Sequence, residues 1–517
     1  MTLDWTKHKL ARWAAAAALG LCVTACSEDD ATGSNSAGNE TASGTGGAAG
    51  QAGAAAGSSG ARAGAGAGAG AAGTGQGAGT RDQDARTFTF DPATAEFAAL
   101  PNVETDRAWG VLDGAGYQIE VPKQWNGILV MYAHGYAGTG DALRITTPGL
   151  RAHLIEKGYA WAASSYSKNY YDVRVGVEDT NKLALAFTRL VGEKGRKLEE
   201  PKKRYIIGHS MGGHITGAAI EKEAQETAAN KVRYAGAVPM CGVMGDTELF
   251  NYFTAYQFAA QKLTNISPDA PPADFAAIKM QLRDAVFSTY PTMTTPAGDK
   301  VRSIVANLTG GSRPMFELGF ATMQWQDAVW NVFGGDGRIN GILTKPVIDT
   351  RNIVYQLDDD AAQSAEEKAF NESVYRVSPA SDANPIQPDG VRFIPVVNGE
   401  FDIPVLSLHT LGDLYVPFKM QQVYRQRATA KGNADRLVQR AIRGTGHCEF
   451  TLAEQITAFD DLARWEQEGV KPEGDEVLDP SVVHAADYGC KFTNNTFTEA
   501  EKATVGAARA TAPACSK

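Results

Sequence analysis

Three polar side chains in this sequence have the types and settings that a nucleophilic hydrolysis needs. Ser210 stands between glycines in the run GHSMG (208–212), just after the apolar segment YII. Asp413 follows the apolar segment VLSL, and His447 lies in the glycine-containing run RGTGH. A serine hydroxyl becomes a good nucleophile when a neutral imidazole takes its proton, and a carboxylate fixes the tautomer of that imidazole. Ser210 also fits the commoner role of a helix N-cap, and its own motif does not separate the two roles.

The segments around these residues alternate between strand and helix patterns. The apolar runs GILVMYAHG, YAWAASSYS, RYIIG, YAGAVPMCG, DIPVLSLHT and RLVQRAI predict strands, and amphipathic runs such as NKLALAFTRLVGEKG predict helices between them. Such alternation, with nearly continuous apolar strands, is typical of a mostly parallel sheet covered on both faces. In this pattern GHSMG joins a strand to a helix, which is the setting of a nucleophile elbow.

With these elements in place, the sequence resembles the α/β-hydrolase superfamily of serine hydrolases, of the esterase and lipase kind. The resemblance implies a doubly wound sheet and a triad in the chain order serine, acid, histidine. It makes Ser210 the nucleophile, Asp413 in its H-x-x-x-D-x-x-V-P run the acid, and His447 the base. It also implies an oxyanion hole built from the backbone N–H groups of Met211 and of Tyr136, which follows a His-Gly pair at a strand end.

Alternatives stay open for the acid and for the base. Asp246 is a rival acid, since some members of the superfamily carry the acid one strand earlier. His447 and His484 both follow the proposed acid in the chain, but no strand pattern precedes His484. His209 and His409 are predicted to be buried or supporting histidines.

The predicted folded part contains four cysteines, Cys241, Cys448, Cys490 and Cys515, which can pair in three ways. An even number in an exported protein favours disulfides, and no CxxC or HxxxH spacing supports a metal site. The resemblance favours a Cys241–Cys448 disulfide, because it implies that both residues lie at the carboxyl edge of the sheet. The second disulfide is then Cys490–Cys515. Tannase-like and feruloyl-esterase-like members have a related arrangement, although here His209 stands where they have a cysteine before the nucleophile.

The N-terminus has the pattern of a bacterial export signal. Residues 1–25 combine basic residues with an apolar stretch too short to span a bilayer, and they lead into VTAC, which resembles a lipoprotein lipobox. Cleavage before Cys26 leaves that cysteine lipidated; the alternative is an ordinary signal peptide cut after Ala25. Residues 26–85 are rich in Gly, Ala and Ser, which predicts a disordered tether. We therefore expect an exported protein that is anchored in a membrane through this lipid, or secreted.

The rest of the chain divides into a catalytic domain at 86–244 and 396–517 and an inserted cap at 245–395. The strand and helix alternation stops at about residue 245 and resumes only at DIPVLSLHT (402–410). The intervening residues are rich in aromatic side chains. A long insertion before the acid-bearing strand indicates a cap over the active-site edge of the sheet.

The resemblance implies a serine hydrolase that cleaves carboxylic esters through an acyl-enzyme, and the aromatic cap favours bulky, aromatic or polymeric esters. A serine peptidase or amidase of the same fold is one alternative, and a non-catalytic surface-binding lipoprotein is another. The net charge of -10 argues against a nucleic-acid partner. No cofactor is predicted, since the glycine runs have no strand before them and no helix after them.

Overall fold

An eight-stranded sheet forms the centre of the computed structural model, which describes residues 80–515 of the chain. The strands are β1 (Thr105–Leu112), β2 (Ala115–Pro122), β3 (Ile128–Ala133), β4 (Ala160–Ser164), β5 (Lys203–His209), β6 (Gly236–Met240), β7 (Phe287–Thr289), β8 (Met293–Thr294), β9 (Val405–Thr410) and β10 (Leu437–Ile442). The sheet has the order β1-β2-β4-β3-β5-β6-β9-β10, and β7 and β8 form a separate hairpin.

The direction of the strands identifies the fold. In the eight-stranded sheet, β2 pairs in antiparallel fashion with both of its neighbours, β1 and β4, whereas all the other neighbouring strands are parallel. This order, with its single reversed strand, is that of the α/β-hydrolase fold, so the predicted fold class is confirmed. Because the remaining strands point the same way, the residues that follow β5, β9 and β10 all emerge at one edge of the sheet.

Helices cover both faces of this sheet. They are α1 (Arg151–Glu156), α2 (Val173–Glu193), α3 (Met211–Ile220), α4 (Lys222–Thr227), α5 (Glu248–Thr264), α6 (Ala276–Val286), α7 (Pro296–Leu308), α8 (Phe316–Phe320), α9 (Met323–Trp330), α10 (Ala365–Ser373), α11 (Lys419–Ala430), α12 (Leu452–Glu468), α13 (Pro480–Val483), α14 (Glu499–Glu501) and α15 (Ala507–Arg509). Short 3-10 helices span Asp82–Ala85, Pro92–Thr94 and Ala434–Arg436, and a π-helical turn spans Lys502–Gly506.

The apolar core lies on the two faces of the sheet. Alternate residues of β3 point to opposite faces, as the strand period requires. Leu129 and Met131 pack with α2, α3 and α11 on one face, and Val130 and Tyr132 pack with α1 and α12 on the other. The strands are buried on both faces, which explains their nearly continuous apolar sequences.

The chain between β6 and β9 forms the inserted segment that the sequence predicted as a cap at 245–395. It contains α5 to α10 and the β7–β8 hairpin. Most of its aromatic side chains pack against one another; Tyr256, for example, contacts Trp330 and Phe333 with ring centroids 6.1 and 5.1 Å apart. The insertion is therefore held together largely by its own aromatic core, which is continuous with the core on one face of the sheet.

Several N-terminal predictions lie outside the described residues: the signal peptide at 1–25, the lipidation site Cys26 and the tether as far as residue 79. Residues 81–85, which the sequence placed in that tether, belong to the folded domain instead. Gln83 is fully buried, and its amide donates to the Asp172 carboxylate at 3.1 Å. The glycine-rich composition stops before this short helix, so composition alone placed the boundary a few residues late. Within residues 80–515 no helix is both long enough and apolar enough to cross a membrane.

Candidate active site

Ser210 lies at a sharp turn between the end of β5 and the start of α3. Its backbone has φ 57° and ψ -120°, a conformation that residues other than glycine rarely adopt. The flanking glycines make the turn feasible: a Cβ on Gly208 would lie 2.3 Å from the carbonyl oxygen of Gly212, and one on Gly212 would lie 2.0 Å from that of Ala133. The Ser210 hydroxyl does not cap α3. The N-cap role that the motif left open is therefore not the one this side chain takes.

The structure brings Ser210, His447 and Asp413 together in one chain of hydrogen bonds. His447 Nε2 lies 2.7 Å from Ser210 Oγ, and His447 Nδ1 lies 2.6 Å from Asp413 Oδ2. A carboxylate can only accept, so the proton sits on Nδ1 and leaves Nε2 free to accept from the serine. The Asp413 side chain is fully buried and that of His447 is 10% exposed. The arrangement can remove a proton from Ser210 and stabilise the imidazolium that results.

The Asp413 carboxylate is held in place by its own loop. Its Oδ1 accepts hydrogen bonds from the backbone N–H groups of Tyr415 at 3.0 Å and Val416 at 2.8 Å. Both donors come from residues just after the carboxylate, where the chain turns back from β9. The second oxygen, Oδ2, is hydrogen-bonded to His447 Nδ1.

The rival residues lie elsewhere. Asp246 pairs with Arg427 at 2.6 Å and accepts a hydrogen bond from the backbone N–H of Val397 at 3.0 Å, so its carboxylate is engaged away from His447. His484 lies beside Gly311, whose Cβ position would be 3.4 Å from His484 Nε2.

Two further histidines lie near the three residues: His409 is fully buried and His209 is partly buried, in keeping with the predicted supporting role. His209 Nε2 lies 3.1 Å from the side-chain oxygen of Gln455, and His409 Nε2 donates to the Val416 carbonyl at 2.7 Å. Burial lowers the pKa of each imidazole to about 4. His409 comes within 3.9 Å of Asp413 Oδ2, but as a neutral ring it does not neutralise that carboxylate.

The loop after β3 packs directly against the serine. A Cβ on Gly135 would lie 3.3 Å from the Cβ of Ser210, so glycine lets this loop approach. The His134 ring stacks on Tyr166 with centroids 4.1 Å apart, which holds the loop from behind. The loop leads into Tyr136, whose side chain is partly exposed, and partial burial raises the pKa of its hydroxyl to about 12. The Met211 N–H stands in the first turn of α3, where backbone donors have no intrahelical partner.

Two aromatic side chains pack against the His447 ring. Trp325, on α9 of the insertion, and Tyr415, after β9, both meet the imidazole edge to face with centroids 5.8 and 5.7 Å away. Trp325 also packs on Gly446, where a Cβ would lie 2.6 Å from the indole nitrogen. The sequence predicted only that the aromatic residues between 245 and 395, which include Trp325, belong to a cap. It did not predict Tyr415 at the site, although Tyr415 lies two residues after the proposed acid.

The four cysteines of the folded part lie in the two predicted pairs. The sulfurs of Cys241 and Cys448 are 2.00 Å apart, and those of Cys490 and Cys515 are 2.12 Å apart. The first bridge ties the residue after His447 to the end of β6. Cys241, His447 and Cys448 also come within the spacing of a metal-ligand set, but sulfurs joined to each other are not thiolate ligands.

Comparison with known proteins gives distant similarities. No family model matches the sequence. The chain is 23% identical over 410 residues to o-phthalyl amidase from Xanthobacter agilis, which covers 69% of this chain and 86% of the amidase.

Two solved structures are also similar to the chain. Feruloyl esterase B from Aspergillus oryzae has a TM-score of 0.38 and 12% identity, over 73% of this chain and 86% of the esterase. Candida antarctica lipase A in its closed state has a TM-score of 0.33 and 12% identity, over 76% of this chain and 80% of the lipase. The fold assignment rests on the strand order of the sheet itself rather than on these similarities.

Proposed function

We propose that this protein is a serine hydrolase whose nucleophile is Ser210, with His447 as general base and Asp413 as the carboxylate that orients it. The observation that carries the proposal is the unbroken hydrogen-bond chain from Ser210 Oγ through the imidazole to the buried Asp413 Oδ2. The strained backbone of Ser210 supports it, because such strain is retained where it serves a function.

The proposed reaction has two halves. Ser210 Oγ attacks the substrate carbonyl while His447 Nε2 takes its proton, and the oxyanion accepts hydrogen bonds from the N–H groups of Met211 and Tyr136. The imidazolium then protonates the leaving group, which departs and leaves an acyl group on Ser210. A water molecule, deprotonated by His447, attacks the acyl-enzyme, and the released serine recovers its proton from the imidazolium.

Carboxylic esters are the substrate class that we propose. The aromatic side chains of Trp325 and Tyr415 beside His447 suit an apolar or aromatic acyl or alcohol group, including the repeat unit of a polymeric ester. Amides of aromatic acids are a second candidate, because the similarity to an o-phthalyl amidase extends over 86% of that enzyme. The same triad can cleave either bond. Amide cleavage is the harder reaction, because the amine leaving group must be protonated as it departs.

We also propose that the protein works outside the cytoplasm, attached to a membrane by a lipid on Cys26 and held away from it by the tether. Two disulfides are typical of proteins from oxidising compartments. Mass analysis of protein recovered from membranes of the producing cell tests this proposal. A diacylglycerol-modified N-terminal cysteine is the expected result, and an unmodified chain beginning at Cys26 or later refutes the anchor.

The catalytic proposal is tested by labelling the full-length protein with a fluorophosphonate, which reacts only with an activated serine. We expect one adduct on the Ser210 peptide that is absent from Ser210→Ala. Hydrolysis of an aryl ester and the anilide of the same aromatic acid then separates the two substrate classes. Faster cleavage of the ester by several orders of magnitude supports an esterase, and comparable kcat/KM values support an amidase. A folded protein that neither takes the label nor hydrolyses either substrate refutes the function.

A further inference from the structure

The loop that carries His447 is bonded to the last part of the chain, residues 484–515, which we call the C-terminal segment. The loop follows β10 and includes residues 443–449. Arg443, at its start, donates hydrogen bonds to the backbone carbonyls of Ala486 at 2.9 Å and Pro513 at 3.0 Å. The Cys490–Cys515 disulfide closes the C-terminal segment on itself. The position of the loop is therefore tied to a segment that contributes no residue to the three-residue hydrogen-bond chain.

Glu449 holds the loop just before His447. Its Oε2 accepts three hydrogen bonds: from the Thr445 N–H at 3.2 Å, the Thr445 hydroxyl at 2.6 Å and the Gly446 N–H at 3.0 Å. The Glu449 side chain is 11% exposed. A carboxylate that bonds two successive backbone N–H groups fixes the path of the chain there. That path sets the direction in which the next residue, His447, projects its imidazole.

Arg509, on α15 of the C-terminal segment, holds Glu449 in turn. Its Nε lies 3.3 Å from Glu449 Oε1, and its Nη2 donates to the Glu449 backbone carbonyl. Its Nη1 and Nη2 also reach the two oxygens of Glu454 at 2.8 and 3.0 Å. The planar guanidinium fork thus satisfies two buried carboxylates at once, which a lysine cannot do with the same geometry. Without Arg509, the largely buried Glu449 carboxylate loses this ion-pair partner.

We propose that Arg509 is a positioning residue for His447 that acts through Glu449, which makes the C-terminal segment part of the catalytic unit. This inference rests on the proposed function. The Oγ–Nε2 distance of 2.7 Å allows direct proton transfer, and a shift of the loop lengthens it. A displacement on the order of 1 Å at reacting groups costs about 100-fold in rate. Within the described residues the side chain of Arg509 bonds to Glu449, Glu454 and Asn495, so its loss should lower kcat more than it changes KM.

The test compares Arg509→Gln and Arg509→Lys with Arg81→Gln in the full-length protein. Arg81 is a matched control: its side chain is 3% exposed, as is that of Arg509, and it also pairs with a carboxylate, that of Asp84. Arg81 lies at the start of the described chain and contacts neither the His447 loop nor the Asp413 loop. Each variant is measured for melting temperature, for kcat and KM on an aryl ester, and for the rate of fluorophosphonate labelling.

We expect Arg509→Gln to lower kcat and the labelling rate about 10- to 100-fold while KM changes less than twofold. Arg509→Lys, which retains the charge, recovers part of the loss. Arg81→Gln lowers the melting temperature by a similar amount and leaves kcat unchanged.

Three results overturn the inference. The first is an Arg509→Gln protein that is folded at the assay temperature and has kcat within twofold of the unaltered protein. The second is an equal loss of kcat in Arg81→Gln, which indicates general destabilisation. If Arg509→Gln does not fold, the Arg509→Lys variant is used instead. The third result that overturns the inference is then an unchanged kcat in Arg509→Lys. An unaltered protein that takes no label and cleaves no ester instead refutes the proposed function, so the two failures are distinguishable.

Discussion

Replacement of Asp413 by Asn tests the proposed mechanism most directly, because the structure dictates how the amide must lie. Oδ1 of the carboxylate faces two backbone donors, the N–H groups of Tyr415 and Val416, and Oδ2 faces His447 Nδ1. The carbonyl oxygen of asparagine has to take the place of Oδ1, because an NH₂ group there would meet two donors. The NH₂ group then points at His447 Nδ1 and requires that nitrogen to accept.

This arrangement reverses the tautomer of His447. With Nδ1 as acceptor, the proton of the neutral ring sits on Nε2, where it points at Ser210 Oγ and blocks removal of the serine proton. A wrong tautomer of this kind lowers kcat by about 10⁴, or about 5 kcal/mol of transition-state stabilisation. Neither the packing nor the two loop hydrogen bonds are lost, so the melting temperature should change little.

The assay measures kcat on an aryl ester and the rate of fluorophosphonate labelling, with circular dichroism as a check on folding. Asp246→Asn is the control, since Asp246 is paired with Arg427 and plays no part in the proposed chemistry. We expect that control to lower stability and to leave kcat within a few-fold of the unaltered protein. A folded Asp413→Asn protein that keeps more than a tenth of the unaltered protein's kcat refutes the assignment. A large loss in Asp246→Asn instead would identify the rival acid.

Three further changes have expected outcomes. The double variant Cys241→Ser, Cys448→Ser removes a disulfide between residues 207 positions apart. In the chain-entropy model this lowers the free energy of unfolding by about 5 kcal/mol, which denaturant titration measures. A loss below about 1 kcal/mol contradicts this prediction. Gly212→Ala places a Cβ 2.0 Å from the backbone oxygen of Ala133 and should cost about 3 kcal/mol or more, which a melting temperature near that of the unaltered protein would disprove. Burial raises the pKa of Glu221 to about 7 from the ordinary 4.5, so the stability it contributes below pH 4.5 is lost as the pH rises through 7. The free energy of unfolding of the unaltered protein, measured relative to that of Glu221→Gln, should therefore fall by about 3 kcal/mol between pH 5 and pH 8. If the difference between the two proteins does not change with pH, Glu221 does not titrate in this way.

The sequence was sufficient for the main strands and helices of the sheet and for the turn at Ser210, which depend on local backbone geometry. Strand and helix periods predicted the alternation that builds the sheet, and the glycines around Ser210 predicted a tight turn between a strand and a helix. Once the resemblance to α/β-hydrolases supplied an order of elements, the positions of Asp413 and His447 followed from the strands before them. The same fold argument favoured Cys241–Cys448, whose sulfurs the structure places at bonding distance.

Contacts between distant parts of the chain were decided only by the tertiary structure. The sequence favoured Asp413 but left Asp246 open as the partner of the imidazole; the structure shows His447 bonded to Asp413, and Asp246 paired with Arg427, 181 residues away. The position of Trp325 beside His447 likewise depends on how the insertion packs, and the link between Arg509 and Glu449 spans 60 residues. Hydrophobic periods report which face of an element is buried, but not which charged side chains meet when those faces pack. The local pattern therefore determined which residue types are available for the proposed chemistry, and the packing of elements far apart in sequence determined which of those groups meet.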